Sequence, residues 1–391
     1  MNLAPADEPG IAAAVAAAHA AREPLLVEGG GSKRAMLRPV QAAGTLSTRN
    51  HRGVTLHSPS ELIIAARAGT PVPEVEAKLA EAGQYLIAEP PEFSALLGGS
   101  PPTLGGIVAA NLSGPRRIAW GATRDHIMGI RFVNGTGEIL RSGGRVLKNV
   151  TGLDLCKLLA GSHGTLGVMT EITLKVLPAP AAVGTLILRN LAAGPGVAAL
   201  SAALGSPYGV SAAAWLPAEA TARAPELPPG TCTLIRIEDF PASVAYRLGR
   251  LQQTFGGDLL GDAASRTLWR RVRDAELLPA ADDDAIWRVS VRPSAAPALL
   301  GALPGYHHFL DWGGGLAWIA GPATATTHEA ICAAARAASG TWTLFRAPEP
   351  LSAAVHVVPP EPAPLARITR RVKAALDPAG ILNPGRLYAG L

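Results

Sequence analysis

The chain has 391 residues, of which 48% are hydrophobic and 17% charged, and its 43 glycines and 34 prolines are spread along the whole length. That length predicts two or three domains, each able to bury a core, and the composition excludes disordered and fibrous proteins. The 35 basic and 30 acidic residues give a net charge of +5 at pH 7 without a long basic stripe, which argues against a nucleic-acid-binding protein.

The first 180 residues alternate helices and strands around glycine-rich turns. Asp7 is a candidate N-cap, so we expect the chain to begin with a helix rather than with a secretory signal. Asn134 and Gly135 form the strongest hairpin signal of the sequence. Pro178 and Pro180 end this part of the chain and mark a domain boundary. The predicted elements are helix 11–21, strand 25–27, strand 61–68, helix 73–82, hairpin strands 127–133 and 138–141, and strand 168–177.

The second part of the chain, after Pro180, has a different order of secondary-structure elements. Its order of elements approximates β-α-β-β-α-β twice, which predicts an antiparallel sheet covered by helices on one face. The charge-free stretch 190–218 is interrupted by glycines and prolines, so we expect no membrane span. A last helix, 365–376, leads into a closing tail. The predicted strands are 185–188, 210–216, 231–237, 287–291, 315–319 and 341–345, and the predicted helices are 197–204, 244–255, 296–303 and 328–338.

The candidate metal ligands are too scattered to form a site. His307 and His308 are adjacent on a predicted strand, so their side chains point to opposite faces, and His356 lies in an apolar run that is typical of a core. The sequence therefore predicts no metal site. Three cysteines lie too far apart for a CxxC site or a disulfide framework, which indicates a reducing compartment: Cys156, Cys232 and Cys332.

The first of three glycine clusters follows the strand 25–27. Residues without side chains let successive backbone N–H groups turn towards an anion, and a serine hydroxyl adds a donor, which suits a pyrophosphate. A plain strand-to-loop turn explains the motif equally well. The pattern is neither GxxxxGK[ST] nor GxGxxG, which argues against a P-loop kinase and a simple Rossmann site. Its candidate binding residues are Gly29, Gly30, Gly31, Ser32 and Lys33.

Two further clusters carry the remaining candidates in this part. In the second, Thr103 is placed to cap a short helix, and small side chains allow a large ligand to pack on the backbone. The third runs from Gly161 straight into the strand 168–177. The candidates are Thr103, Leu104, Gly105, Gly106, Asn111, Ser113, Gly114, Arg124 and Asp125, followed by Gly164, Gly167 and Val168.

Taken in this order, the motifs resemble those of the vanillyl-alcohol oxidase (PCMH-type) FAD-binding family. Over nearly its whole length the chain is similar to the FAD-binding subunits of bacterial glycolate oxidases. The segments that carry the resemblance are Gly105 to Gly114 with Arg116 and Arg117, Lys148 to Gly152, Gly161 to Val168, and Asp377-Pro378 with Leu382 to Arg386.

The resemblance implies an α+β fold. Residues 1–180 would form a two-subdomain PCMH-type FAD-binding domain, residues 181–350 a ferredoxin-like antiparallel-sheet cap, and residues 351–391 a segment that returns to the first domain. The first glycine cluster would hold the pyrophosphate of FAD, and the other two would line the flavin, with Asn383 and Arg386 near the ring. Leu153 and His163 stand where many relatives have tyrosine and glutamate, so no catalytic residue is assigned.

The resemblance also implies a function and partners. The chain would be one subunit of a multi-subunit oxidase of glycolate or another small 2-hydroxy acid, together with a larger FAD-binding subunit and an iron–sulfur subunit. It would lie in the cytoplasm, with at most peripheral contact with the inner face of the plasma membrane. Two alternatives remain: a stand-alone oxidase whose cap binds a 2-hydroxy acid through Arg288, Arg292 or Arg346, and an assembly scaffold without flavin.

Overall fold

The computed structural model describes residues 2–144 and 153–391, so the predicted motif 148–152 lies outside the described residues. The strands are β1 (Asn2–Leu3), β2 (Leu25–Glu28), β3 (Gly44–Ser47), β4 (Val54–Ser58), β5 (Ile63–Arg67), β6 (Gln84–Leu86), β7 (Ile127–Val133), β8 (Ile139–Gly143), β9 (Val168–Pro178), β10 (Ala182–Arg189), β11 (Ala212–Leu216), β12 (Cys232–Asp239), β13 (Asp258–Leu260), β14 (Ala285–Ser290), β15 (His307–Asp311), β16 (Leu316–Gly321) and β17 (Thr341–Arg346). The helices are α1 (Glu8–Ala21), α2 (Val72–Ala80), α3 (Ser94–Leu97), α4 (Leu104–Ala109), α5 (Arg117–Trp120), α6 (Leu155–Leu159), α7 (Ala193–Leu204), α8 (Ala218–Thr221), α9 (Pro241–Phe255), α10 (Asp262–Arg273), α11 (Ala296–Gly301), α12 (Ala325–Ala337), α13 (Glu349–Ala354) and α14 (Ala363–Leu376).

The chain divides into two compact units. The first comprises residues 1–113, 121–179 and 360–391, and the second comprises residues 114–120 and 180–359. The second unit extends beyond the predicted boundary at 350, because the N–H of Leu344 donates to the carbonyl of Val357 at 2.7 Å and buries that valine. The segment 114–120 belongs to it because Arg116 forms a buried ion pair with Glu238 at 2.6 Å.

The first unit contains two sheets. In the smaller one, β3 lies between β1 and β2, with parallel pairing on both sides. The larger one has the order β4-β5-β9-β7-β8 and is antiparallel, and β6 also pairs with β9. Helix α1 begins three residues before the predicted start, and its cap is confirmed because Asp7 Oδ1 accepts a hydrogen bond from the N–H of Gly10 at 2.8 Å.

The C-terminal tail takes part in the core of the first unit. Ile381 and Leu382 are buried with residues of α1, β2, β3, β7 and β9. Main-chain bonds fix the register, since the N–H of Leu25 donates to the carbonyl of Ile381 at 2.7 Å and the N–H of Asn383 donates to the carbonyl of Leu25 at 3.1 Å. The tail thus behaves as an additional parallel neighbour of β2.

The predicted hairpin at Asn134 and Gly135 is confirmed, because β7 pairs antiparallel with β8. The connection between β7 and β8 spans 134–138, and Gly137 adopts the left-handed conformation with φ +88°. Gly135 also contacts the C-terminal tail, because its N–H donates to the carbonyl of Leu376 at 2.7 Å. A Cβ on Gly135 would lie 2.4 Å from Asp377 Oδ1. A glycine is therefore required for close approach to the tail.

The second unit is one eight-stranded antiparallel sheet with the order β13-β10-β12-β11-β15-β16-β14-β17. Each half repeats β-α-β-β-α-β, and within each half the strands lie in the order 4-1-3-2 of a ferredoxin-like fold. The halves meet where β11 pairs with β15 at Trp215 and Leu310. The doubled pattern predicted from the sequence is therefore present.

The described part of the chain has no helix with the length and hydropathy that a membrane span requires. Within the same residues, no group of three or more histidine, cysteine, aspartate or glutamate side chains is placed to hold a metal ion. The three cysteines are buried free thiols.

Candidate functional site

A cavity in the first unit brings most of the predicted binding residues together. It contains about 760 Å³ of empty space, part of it open to solvent. Strand β2, helix α4, the loop before β9 and the C-terminal tail supply its walls. The predicted residues on its lining are Gly29, Gly30, Gly31, Ser32, Lys33, Thr103, Gly105, Gly106, Gly164, Gly167, Val168, Asn383 and Arg386.

The glycines of the first two clusters have distinct tasks. A Cβ on Gly29 would lie 2.1 Å from Thr103 Oγ1, so this glycine lets the two clusters touch. A Cβ on Gly30 would come no closer than 3.5 Å, to the carbonyl oxygen of Pro101, so a side chain has room there. A Cβ on Gly106 would lie 3.5 Å from Lys33 Nζ. Together these three glycines leave backbone without side chains around the ammonium group of Lys33, and we call this arrangement the cradle.

Lys33 supplies an uncompensated positive charge in this cradle. Burial lowers the pKa of its ammonium to about 8. Within residues 2–144 and 153–391, Nζ has a hydrogen bond with Ser32 Oγ at 3.3 Å and no carboxylate partner. A buried charge without a counterion is costly, so the cavity favours an anionic ligand.

His163 lines the same cavity and is neutral at physiological pH. Burial and the positive charges of Arg386 and Lys33 lower its pKa to about 3. Its backbone is left-handed, with φ +52°, and its N–H donates to the carbonyl of Ala109 at 2.8 Å. The imidazole therefore adds a hydrogen-bonding group to the cavity without adding charge.

Arg386 and Asn383 hold the walls of the cavity in place. The guanidinium of Arg386 donates to the carbonyls of Lys33, Arg34 and Arg38 at 2.6, 3.3 and 2.9 Å. The side-chain oxygen of Asn383 accepts from the N–H of Val27 at 2.7 Å. Its Nδ2 donates to the carbonyls of Val27 at 3.1 Å and His163 at 2.7 Å. Two residues of the tail thus connect three segments of the lining.

We expect Asn383→Asp to destabilise the first unit by about 3 kcal/mol, because a carboxylate would face two carbonyl oxygens that now receive N–H donors. Urea unfolding followed by circular dichroism measures this. The matched control is Asn50→Asp, which removes one exposed donor to the carbonyl of Ala4, and it should change the free energy of unfolding by less than about 0.5 kcal/mol. Equal effects of the two substitutions would contradict the role assigned to Asn383.

The other predicted residues do not lie on the lining of this cavity. Leu104 is buried in the core. Asn111 Oδ1 accepts from the N–H of Arg124 at 3.1 Å, and Ser113 Oγ accepts from the N–H of Thr123 at 2.9 Å. Asp125 Oδ2 accepts from the N–H of Ala122. Gly114 lies in the second unit, where its carbonyl accepts from Trp312 Nε1 at 3.1 Å. Their assignment to the cofactor stays a prediction.

Several lining residues have no local sequence signal. Thr48 reaches the cavity because its N–H donates to the carbonyl of Glu28 at 2.9 Å, which places the end of β3 beside the end of β2. Ala68 and Met169 are brought to the cavity by the pairing of distant segments, since the N–H of Ala68 donates to the carbonyl of Thr170 and Met169 pairs with Phe132. Ala109, Ala110 and His163 also line the cavity and stand within the motifs Gly105 to Gly114 and Gly161 to Val168. Thr48, Ala68 and Met169 become visible only when the sheets are assembled.

Residues 2–143 match the family model described as the FAD binding domain. Over 370 residues the chain is 36% identical to glycolate oxidase subunit GlcE of Escherichia coli (strain K12), an alignment that covers 95% of this chain and 94% of that protein. The chain belongs to the GlcE family of glycolate oxidase subunits. Glycolate oxidase subunit GlcD of Bacillus subtilis (strain 168) is 42% identical over 85 residues, which are 22% of this chain and 18% of that protein.

Two solved structures share the fold. Alkyldihydroxyacetonephosphate synthase matches with a TM-score of 0.70 and 19% identity, over 99% of this chain and 77% of that chain. The 4-ethylphenol oxidase from Gulosibacter chungangensis matches with a TM-score of 0.70 and 14% identity, over 99% of this chain and 89% of that chain. The predicted fold class, a PCMH-type FAD-binding domain with a ferredoxin-like antiparallel-sheet domain, is confirmed.

For a member of the GlcE family, the predicted cofactor, FAD, is confirmed. The cavity fits this group, because a pyrophosphate needs bare backbone and a cation, and the cradle around Lys33 offers both.

The pH dependence of FAD binding should report on Lys33. A bound pyrophosphate stabilises the ammonium and raises its pKa above the value of about 8 in the free protein. Binding then takes up a proton between about pH 8 and 10, so affinity is level below pH 8 and falls as the pH rises. Titration calorimetry in two buffers of different ionisation enthalpy measures the uptake. Lys33→Arg should remove it, and an identical profile in that variant would exclude Lys33 as the titrating group.

Proposed function

We propose that this chain is the FAD-binding subunit of a multi-subunit oxidase that acts on glycolate or a similar small 2-hydroxy acid. Similarity to GlcE over nearly the whole of both chains supports the reaction. The single observation in the molecule that carries the proposal is the glycine-lined cavity with the ammonium group of Lys33 on its lining. The proposed reaction is an FAD-linked oxidation at the CH–OH group of the hydroxy acid.

The residues of the chain would bind and orient the cofactor. FAD, when bound, supplies an acceptor of two electrons that can pass them on one at a time. Lys33 and the backbone N–H groups of Gly29 to Gly31 would hold the pyrophosphate. Asn383 and Arg386 fix the segments that carry these groups, so the site is formed before the ligand arrives.

The proposed partners are a larger FAD-binding subunit and an iron–sulfur subunit. The names of GlcE and GlcD, both subunits of glycolate oxidase, support a multi-subunit assembly. The three cysteines of this chain are scattered, so an iron–sulfur centre of the assembly would lie on another subunit. We further propose a cytoplasmic location, with at most peripheral contact with the inner face of the plasma membrane.

A native affinity purification of the tagged chain tests the proposal. We expect stoichiometric FAD, the two partner subunits, and bleaching of the flavin absorbance by glycolate in the complex but not in the isolated chain. Bleaching of the isolated chain would favour a stand-alone oxidase instead. A colourless protein in the intact complex would favour the scaffold and exclude the proposed function.

One observation favours the stand-alone oxidase as a second candidate. The guanidinium of Arg288 lies 5.4 and 5.1 Å from the ring centroids of Trp312 and Trp318, and burial lowers its pKa to about 10. Its Nε is buried and has no hydrogen-bond partner among the described residues. Arg346, in contrast, donates to the carbonyls of Ala281 and Asp284, and Arg292 is exposed. Of the three predicted arginines, Arg288 is the one with a buried donor that has no partner among the described residues, which suits a substrate carboxylate.

A further inference from the structure

Helix α14 has an apolar face that the residues described in the structure leave uncovered. Of its 14 residues only Lys373 is buried, although Leu365, Ile368 and Val372 follow the spacing of one helix face. Leu365 is 48% exposed and Ile368 57% exposed. A helix with this pattern ordinarily places that face against a core, so the exposed stripe indicates a surface that binds something else.

This face borders a second cavity of the first unit, distinct from the one proposed to bind FAD. It contains about 830 Å³ of empty space, part of it open to solvent. We call it the α14 groove. Its lining is mostly apolar and includes Leu158, Leu166, Ile368, Val372 and Tyr388. A groove of this size accepts a large apolar side chain.

The floor of the α14 groove carries an unpartnered polar group. Ser162 lines the groove and is 6% exposed, and its hydroxyl has no hydrogen-bond partner among the described residues. An unpaired buried hydroxyl is costly, so it favours an occupant with a fixed hydrogen-bonding group. A polypeptide provides such a group at a defined position, whereas the acyl chains of a membrane surface do not.

Charge beside the groove points to the same kind of occupant. Arg371 lies one turn after Ile368 on α14, and Arg367 lies one turn before Arg371. Both are exposed, and neither has an ion-pair partner in the part of the chain that the structure describes. A partner surface with carboxylates opposite these guanidinium groups would be complementary in charge.

We propose that the α14 groove is the docking site of another protein subunit, which inserts an apolar side chain between α6 and α14 and presents carboxylates to Arg367 and Arg371. The inference rests on the multi-subunit assembly proposed above. The groove also shares its wall with the cofactor site, since Lys373 Nζ donates to the carbonyl of Thr165, in the loop that precedes β9. Docking there would place the partner close to the loop that lines the FAD cavity.

The experiment compares assembly of four chains with the other subunits of the complex, by light scattering and by titration of the interaction. Ile368→Glu puts a carboxylate in the mouth of the groove and should weaken the interaction at least about tenfold. The double substitution Arg367→Glu and Arg371→Glu should weaken it about as much, and added salt should then strengthen the interaction because it screens the repulsion between carboxylates. The matched control is Phe240→Glu, since Phe240 is 74% exposed in the second unit and should tolerate the change. FAD content and circular dichroism should be unchanged in all variants.

Assembly of Ile368→Glu with the affinity of the unaltered chain would overturn the inference and leave the proposed function standing. If Ile368→Glu fails to fold, Leu158→Gln replaces it at the opposite wall and carries the same expectation. Flotation with phosphatidylglycerol–phosphatidylcholine vesicles tests a membrane: vesicle binding that Ile368→Glu abolishes, with assembly intact, would assign the groove to lipid instead. If the unaltered chain forms no complex, the multi-subunit function fails and the inference fails with it.

Discussion

Gly30→Asp is expected to abolish FAD binding and to leave the protein folded. A Cβ at Gly30 has ordinary contacts only, the closest at 3.5 Å, so the substitution fits the backbone. The new carboxylate would stand where the pyrophosphate is proposed to lie, and like charges about 4 Å apart repel by about 4 kcal/mol near a protein surface. Affinity should fall by a factor of about 10³. The absorbance of bound flavin after gel filtration measures the loss.

Two glycine variants serve as controls for this result. Gly30→Ala adds volume without charge and should retain most of the FAD. Gly249→Asp adds the same charge on α9, where a Cβ meets nothing within 4 Å, and should bind FAD normally. Stoichiometric FAD in Gly30→Asp would mean that the first glycine cluster does not hold the pyrophosphate.

Asp377→Ala is expected to destabilise the first unit by about 3–5 kcal/mol. The Lys373 ammonium is buried and donates to Asp377 Oδ2 at 2.7 Å, and the same carboxylate accepts from the N–H groups of Ile381 at 3.1 Å and Leu382 at 2.8 Å. Removal of the carboxylate leaves a buried charge without its counterion and releases the tail from the core. Urea unfolding measures the loss of stability, and flavin fluorescence measures the release of FAD.

The double substitution Lys373→Met and Asp377→Asn separates these effects, because it removes both charges and keeps an oxygen for the tail N–H groups. It should recover at least half of the lost stability. Glu81→Ala is the exposed counterpart, since Glu81 pairs with Lys78 on the surface, and it should cost less than about 1 kcal/mol. A similar loss in Asp377→Ala and Glu81→Ala would show that the buried pair does not hold the tail.

Local patterns predicted most helices and strands, because their causes lie within a few residues. The Asp7 cap and the strand that ends at Pro178 depend on neighbours in sequence, and both are present. Local patterns did not show the contacts that distant segments make. Gly135 lies in the predicted hairpin connection, but its requirement for glycine arises from Asp377, which lies on the returning tail.

The sequence by itself determined most of the helices and strands and, through the ordered motifs that resemble the PCMH-type FAD-binding family, the class of cofactor. Each glycine-rich segment at the end of a strand suits a large anionic ligand but fits a plain turn as well, so the order of the motifs carried the prediction. The tertiary structure decided which groups face the cavity. Asn383 meets Val27 across 356 positions of the chain, and the donors of Arg386 are occupied by carbonyls of the segment 33–38. Contacts of such separation have no local pattern, because they exist only after the core has brought the tail against β2.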